Sequence, residues 1–146
     1  MSRTCAHEHL KFMAHVQSFR ELRIWQLGME LVRAAYKISR CLPAEDTYEL
    51  GSQLRRAALS IPLNIAEGFG KQNRADFASF LRIARGSANE LETILEIVRT
   101  RHVIDDRFML DTINLCVHTR VLLIRFIKRM NATPQVKKKK SEQPSE

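Results

Sequence analysis

Turn-forming residues are scarce in this 146-residue chain: five glycines and four prolines are about half the usual share. So few turns argue against a fold built from many short strands. Uncharged apolar runs are also short, well below the ~20 residues that a bilayer-spanning helix requires. Aromatic residues make up 7% with a single tryptophan, too few for the aromatic-rich sheet on which common RNA modules stack bases. The three cysteines, Cys5, Cys41 and Cys116, cannot all pair within one chain, and the polar start Met-Ser-Arg-Thr-Cys-Ala-His-Glu-His lacks the apolar centre of a secretory signal. A reducing, cytoplasmic location is the expectation.

What remains is 45% apolar and 27% charged, enough to bury a core and too apolar for wholesale disorder. The net charge of +8 makes a polyanionic partner worth testing once the charge is located. Residues 1–18 contribute +1 and residues 135–146 contribute +2, from Lys137, Lys138, Lys139 and Lys140 against Glu142 and Glu146. The segment between them is therefore basic in its own right, at +5. Fifteen of its eighteen basic residues are arginine, the side chain suited to bidentate phosphate contacts and interface ion pairs.

Four stretches of apolar residues at steps of three and four organise residues 24–130, and none alternates with the period of two of a strand. The pattern predicts an all-α, antiparallel up-and-down four-helix bundle. The first helix, 24–41, carries Ile24, Leu27, Leu31, Ala35 and Ile38 on one face and stops at Pro43. The second is expected to start near Asp46, whose Asp-Thr-Tyr-Glu string resembles a capping box, and to end at Gly68 and Gly70. Its Pro62 removes an N–H, but the apolar stripe stays in phase to Ile65, so a bend is expected rather than a stop. Asn73 is a good N-cap for the third helix, whose inward set is Phe77, Leu81, Ala84, Ala88, Leu91, Leu95 and Val98. The fourth opens after Asp105 or Asp106 and runs to about Met130. The domains expected are a flexible leader (1–18), the bundle (19–131) and a disordered lysine-rich tail (132–146).

Several helices carry more apolar surface than one bundle face needs. Trp25, Met29, Val32 and Tyr36 form a second stripe on the first helix, Ile83, Ile94 and Ile97 widen the third, and Ile113, Val117, Val121, Leu122, Ile124 and Phe126 leave the fourth only a narrow polar line. Contiguous apolar surface of that extent marks an interface, so a homo-oligomer is expected, with Trp25, Met29, Val32 and Tyr36 as its contact. The competing reading is a monomer whose crossing angles bury both stripes.

No catalytic constellation emerges. The Glu-x-x-His pairs of di-iron bundles are absent, since His102 is preceded three positions back by Arg99 and His118 by Leu115. Cys5, His7, His9 and His15 offer metal-ligand chemistry, but a leader without a rigid frame is the simpler reading, and neither metal nor cofactor is expected. Gly68-Phe69-Gly70-Lys71 lacks the spacing of a phosphate loop and follows a helix where such a loop follows a strand. On the second helix Gln53, Arg56, Ser60, Asn64 and Glu67 form a polar line beside the apolar stripe, expected at or near the bundle interior as a hydrogen-bonded network or subunit contact.

The candidate phosphate contacts are Arg55 and Arg56 on the second helix, Arg74, Arg82 and Arg85 on the third, and Arg125, Lys128 and Arg129 on the fourth. Taken singly each is an ordinary solvated side chain. Repeated around an oligomer they would make a multivalent positive field with salt-sensitive affinity.

Four strings carry a family resemblance: Phe19-Arg20-Glu21-Leu22-Arg23-Ile24-Trp25-Gln26; Glu45-x-x-Tyr48-x-Leu50-x-x-Gln53-Leu54-Arg55-Arg56-Ala57-Ala58; Ser60-Ile61-Pro62-x-Asn64-Ile65-Ala66-Glu67-Gly68; and Phe77-x-x-Phe80-Leu81-x-Ile83-Ala84-x-Gly86-Ser87-x-x-Glu90-Leu91. In order and spacing they resemble the bacterial four-helix-bundle proteins encoded in intervening sequences of 23S ribosomal RNA genes, over residues 19–131. The resemblance implies a ring-shaped homopentamer without established catalytic activity and with a nucleic-acid-associated role. More loosely, the chain is similar to accessory proteins of diversity-generating retroelements, which act beside a reverse transcriptase. The resulting expectation is a non-enzymatic oligomeric bundle that binds RNA or DNA backbone through basic outer faces, without base readout. A protein-binding scaffold or accessory subunit is the alternative.

Overall fold

The structure, a computed structural model of the chain, describes residues 15–71 and 73–132. The metal-ligand types Cys5, His7 and His9, the lysine run and most of the expected leader and tail lie outside the described residues. Four long helices follow one another: α1 (Arg23–Cys41), α2 (Leu50–Phe69), α3 (Arg74–Arg99) and α4 (Asp106–Asn131). A 3-10 turn (Phe19–Glu21) precedes α1, and a short helix (Ala44–Thr47) joins α1 to α2. Among the described residues there is no strand.

Each long helix buries the face its periodicity predicts. Leu31, Ile38, Leu54, Ile61, Ile65, Leu81, Leu91, Leu95, Met109 and Leu123 are essentially inaccessible and form one core with the alanines Ala35, Ala57, Ala58, Ala84 and Ala88. The broad contacts are α2 with α3, α3 with α4 and α1 with α2, while α1 meets α4 more thinly. The bundle order is therefore α1, α2, α3, α4 around the core, with the α2–α3 side opposite the α1–α4 side.

Two glycines set how closely α2 approaches its neighbours. A Cβ on Gly28 would come within 3.3 Å of Ile61 and of the Pro62 ring, so α1 rides close over α2 at this point. Pro62 is buried there and α2 continues unbroken through it, as its in-phase stripe predicts. A Cβ on Gly68 would stand 2.7 Å from the Phe80 Cβ and 2.8 Å from the Phe77 ring, which fixes the α2–α3 crossing.

The helix ends show where local signals hold and where they yield. Asn73 caps α3 by accepting the Asp76 N–H at 2.8 Å, and Asp105 caps α4 by accepting from the Phe108 N–H at 3.0 Å. The capping box at Asp46 does not form. Asp46 lies inside the short helix begun after Pro43, and its carboxylate pairs with Arg101 at 3.2 Å, a partner 55 residues away. In the turn after α3, His102 takes a left-handed conformation (φ 53°), in which its N–H donates to the Arg99 carbonyl. No helix among the described residues is long and apolar enough to cross a membrane.

Candidate functional site

One end of the bundle is closed by a row of five aromatic rings. Trp25 stacks obliquely on Phe19 at 5.4 Å, Phe19 meets Phe69 at 6.5 Å, Phe69 meets Phe77 at 6.1 Å and Phe77 meets Phe126 at 5.7 Å, mostly edge to face. The row ties together the 3-10 turn, the start of α1, the end of α2, the start of α3 and the end of α4. It makes an apolar floor at that end of the bundle. Separations of up to 50 residues hide it from periodicity, which puts Phe77 on an inward face but Trp25 and Phe126 on second apolar stripes.

Cations collect around this floor. Arg74 donates from Nη2 to the Arg129 carbonyl at 2.6 Å, and Arg82 donates to Asn131 Oδ1 at 3.3 Å, so α3 arginines occupy the C-terminal end of α4, where carbonyls lack helical partners and the helix dipole is negative. Lys128 and Arg129 are exposed in the same turn of α4. Arg85 and Arg125 stand one turn further along α3 and α4. Among the described residues none of these six cations forms an ion pair, whereas two carboxylates of this end are held by other cations: Glu67 by Lys71 at 3.5 Å and Glu30 by Arg23 at 3.7 Å. Asp76 is occupied by Asn73 at the α3 cap.

The charge is polarised along the bundle. Residues 19–32, 60–71, 73–86 and 119–131, the halves of the helices nearest the aromatic row, carry ten basic and four acidic side chains. The opposite halves, 33–59 and 87–118, carry eight and nine. Those charges can be read in the sequence, but they segregate only once the alternating helix directions are applied.

Two of the expected phosphate contacts lie elsewhere. Arg55 is half-buried in the opposite half and donates to Ser39 Oγ, and Arg56 lines the α2–α3 groove together with Glu90. The polar line of α2 runs along the outer edge of that seam and not in the bundle interior: Gln53, Arg56 and Glu67 are exposed, while Ser60 and Asn64 are half-buried. Their reach is set by α3, which supplies Ser87. Asn64 Nδ2 donates to Ser60 Oγ (3.0 Å) and to the Ser60 carbonyl (2.7 Å), Ser60 Oγ lies 2.7 Å from Ser87 Oγ, and Ser87 Oγ donates to the Ile83 carbonyl (3.0 Å). Because the Ser87 proton is committed to Ile83, Ser60 must be the donor between the two hydroxyls, and every proton in the chain is assigned.

The expected contact stripe on α1 is divided. Trp25 and Val32 pack against the protomer's own core, Met29 is half-buried and Tyr36 is exposed. Three of the large exposed apolar side chains are on α2 and α3, Leu63 (63%), Ile83 (51%) and Ile97 (45%), while Tyr48, before α2, is the most exposed. Ile94, Ile113 and Phe126 are buried in the core.

Among the described residues no group of three or more His, Cys, Asp or Glu side chains is placed to hold a metal ion. Cys116 is buried and donates its thiol to the Ala88 carbonyl at 3.2 Å; burial, reinforced by the Glu92 carboxylate, pushes its pKa up to about 12. Such a thiol is inert at neutral pH. Cys41 is exposed.

Comparison with known families settles the kinship these features share with the sequence strings. Residues 20–125 match the model of the 23S rRNA-intervening sequence protein family. The chain belongs to this family. A solved structure from Bacteroides thetaiotaomicron, described as a protein of unknown function from the S23 ribosomal protein family, is 28% identical to it, with a TM-score of 0.66 over 72% of this chain and 98% of that one. No curated protein matches. The family match spans the aromatic row from Trp25 to Phe77 and five of the eight expected phosphate contacts up to Arg85, with Arg125 at its limit.

Proposed function

We propose that this member of the family is a non-enzymatic, self-associating bundle that binds the phosphate backbone of RNA or DNA in the cytoplasm through its aromatic-floored basic end. The observation that carries this reading is the gathering of six cations without carboxylate partners, Arg74, Arg82, Arg85, Arg125, Lys128 and Arg129, at one end of a charge-polarised bundle. Cations left unpaired keep their capacity for phosphate, and arginine predominates among them. A basic end with no strand among the described residues supports affinity for backbone charge without base readout. Self-association multiplies one modest basic end into several, raising avidity without new contacts. The resemblance set out above puts the number of copies at five.

The test is a binding titration with a short RNA hairpin and a DNA duplex at low salt. Reversing Arg125, Lys128 and Arg129 to glutamate is expected to abolish binding, while reversing Arg33 and Arg40 at the opposite end leaves per-protomer affinity within a few-fold of wild type when both are compared as monomers. Equal loss from both ends would contradict a localised site.

A further inference from the structure

We infer that the run Lys137, Lys138, Lys139 and Lys140 is a second part of the same phosphate-binding site, engaging the backbone of the nucleic acid held at the basic end and lengthening its footprint beyond the bundle. The inference rests on the reading above and adds a binding element, its ligand class and its anchor.

The anchor is the C-terminal end of α4. Arg74 holds the Arg129 carbonyl at 2.6 Å and Arg82 holds Asn131 Oδ1 at 3.3 Å, so two α3 arginines fix the last turn, from which the chain leaves. Ala132 closes that turn, its N–H donating to the Arg129 carbonyl at 3.3 Å. The exit point therefore lies among Arg74, Arg82, Lys128 and Arg129. An extended chain spans at most about 3.6 Å per residue, which keeps Lys137 within about 18 Å of Ala132 and Lys140 within about 29 Å. The α4 helix is itself about 39 Å long at ~1.5 Å per residue. The lysines thus reach phosphates seated on the basic end, whereas Glu45, Asp46, Glu49, Asp105 and Asp106 at the far end lie beyond them.

Charge leaves the run one kind of partner. The basic end carries ten basic side chains against four acidic ones. Of those four, Glu30 is held by Arg23, Glu67 by Lys71 and Asp76 by Asn73, which leaves Glu21. Four consecutive lysines outnumber Glu21, Glu142 and Glu146, and the six unpaired cations of the bundle repel them. A polyanion laid across the end turns that repulsion into attraction, since each lysine that meets a phosphate releases a condensed counterion. Lysine suits this task as a compact charge that needs no fixed geometry, while the bundle's arginines make the directed contacts. Because the run is covalently joined to the site, it acts at an effective concentration of about a millimolar and needs no surface of its own.

Titrating a short RNA duplex across about 50–200 mM salt tests this. The full chain is compared with three others: a tail variant (Lys137→Gln, Lys138→Gln, Lys139→Gln, Lys140→Gln), a chain with a long Gly-Ser insert after Ala132, and an end variant (Arg125→Glu, Lys128→Glu, Arg129→Glu) with its tail intact. The tail variant is expected to bind about tenfold or more weakly at the lowest salt, with a log–log salt slope shallower by about 0.9 for each of roughly three phosphates no longer engaged. The insert is expected to give an affinity between those of the full chain and the tail variant, because effective concentration falls with spacer length. The end variant is expected not to bind. A tail variant, or an insert, that matches the full chain would overturn this inference and leave the basic end standing. An end variant as tight as the full chain would overturn the reading of the basic end, and a full chain that fails to bind at the lowest salt would overturn both.

Discussion

Gly68 on α2 and Phe80 on α3 approach so closely that a Cβ on the glycine would lie 2.7 Å from that of the phenylalanine. The clash involves atoms next to both backbones, so rotamer changes cannot relieve it. Gly68→Ala is expected to destabilise the fold by about 1–3 kcal/mol, the range for overpacking a tight core, measured by urea denaturation.

Gly86, eighteen residues on, predicts the opposite sign. Its Cβ position is open and its helix is regular, so Gly86→Ala is expected to stabilise the protomer by about 0.5–1 kcal/mol through helix propensity. Urea denaturation measures it.

His102 holds the left-handed position after α3, a conformation that costs a side chain about 1 kcal/mol or more and costs glycine nothing. His102→Gly is expected to raise stability by up to about 1 kcal/mol, offset in part by the freer unfolded chain. A calorimetric Tm that falls instead would show that the imidazole contributes more than the strain costs.

The two described cysteines should differ in chemistry. With its thiol pKa pushed up to about 12 from an ordinary 9.0, Cys116 keeps its proton at pH 8 and is expected to resist alkylation until the protein unfolds, while Cys41 reacts. Peptide mapping after brief labelling checks this. The raised value also gives a pH slope: the stability tied to the protonated thiol is complete below pH 9 and is lost as pH climbs towards 12, since the unfolded chain releases the proton first. Cys116→Ala should flatten that slope.

Much of the fold was legible because it depends on local spacing. The steps of three and four in α1, the Asn73 cap and the uninterrupted stripe across Pro62 each require only neighbours within a few residues. The false capping box failed for the converse reason, since Asp46 finds Arg101 across 55 residues and sequence alone cannot weigh that offer against a nearby N–H. The polar line was visible as residue types, but its place on the outer edge of the seam depends on Ser87 of α3. Of the eight expected phosphate contacts six fall at one end, and the segregation that separates them from Arg55 and Arg56 comes from helix direction, which periodicity does not report.

Measuring the affinity of the full chain for a short RNA duplex across 50–200 mM salt tests the central claim most directly. Phosphate neutralisation by several unpaired cations predicts a linear fall of log affinity with log salt, with a slope of about −0.9 for each phosphate engaged on a B-form duplex and a comparable loss on RNA. Removing Lys128 and Arg129 should shallow that slope by about two phosphates. An affinity indifferent to salt, or no binding at the lowest salt with the protein assembled, would contradict it.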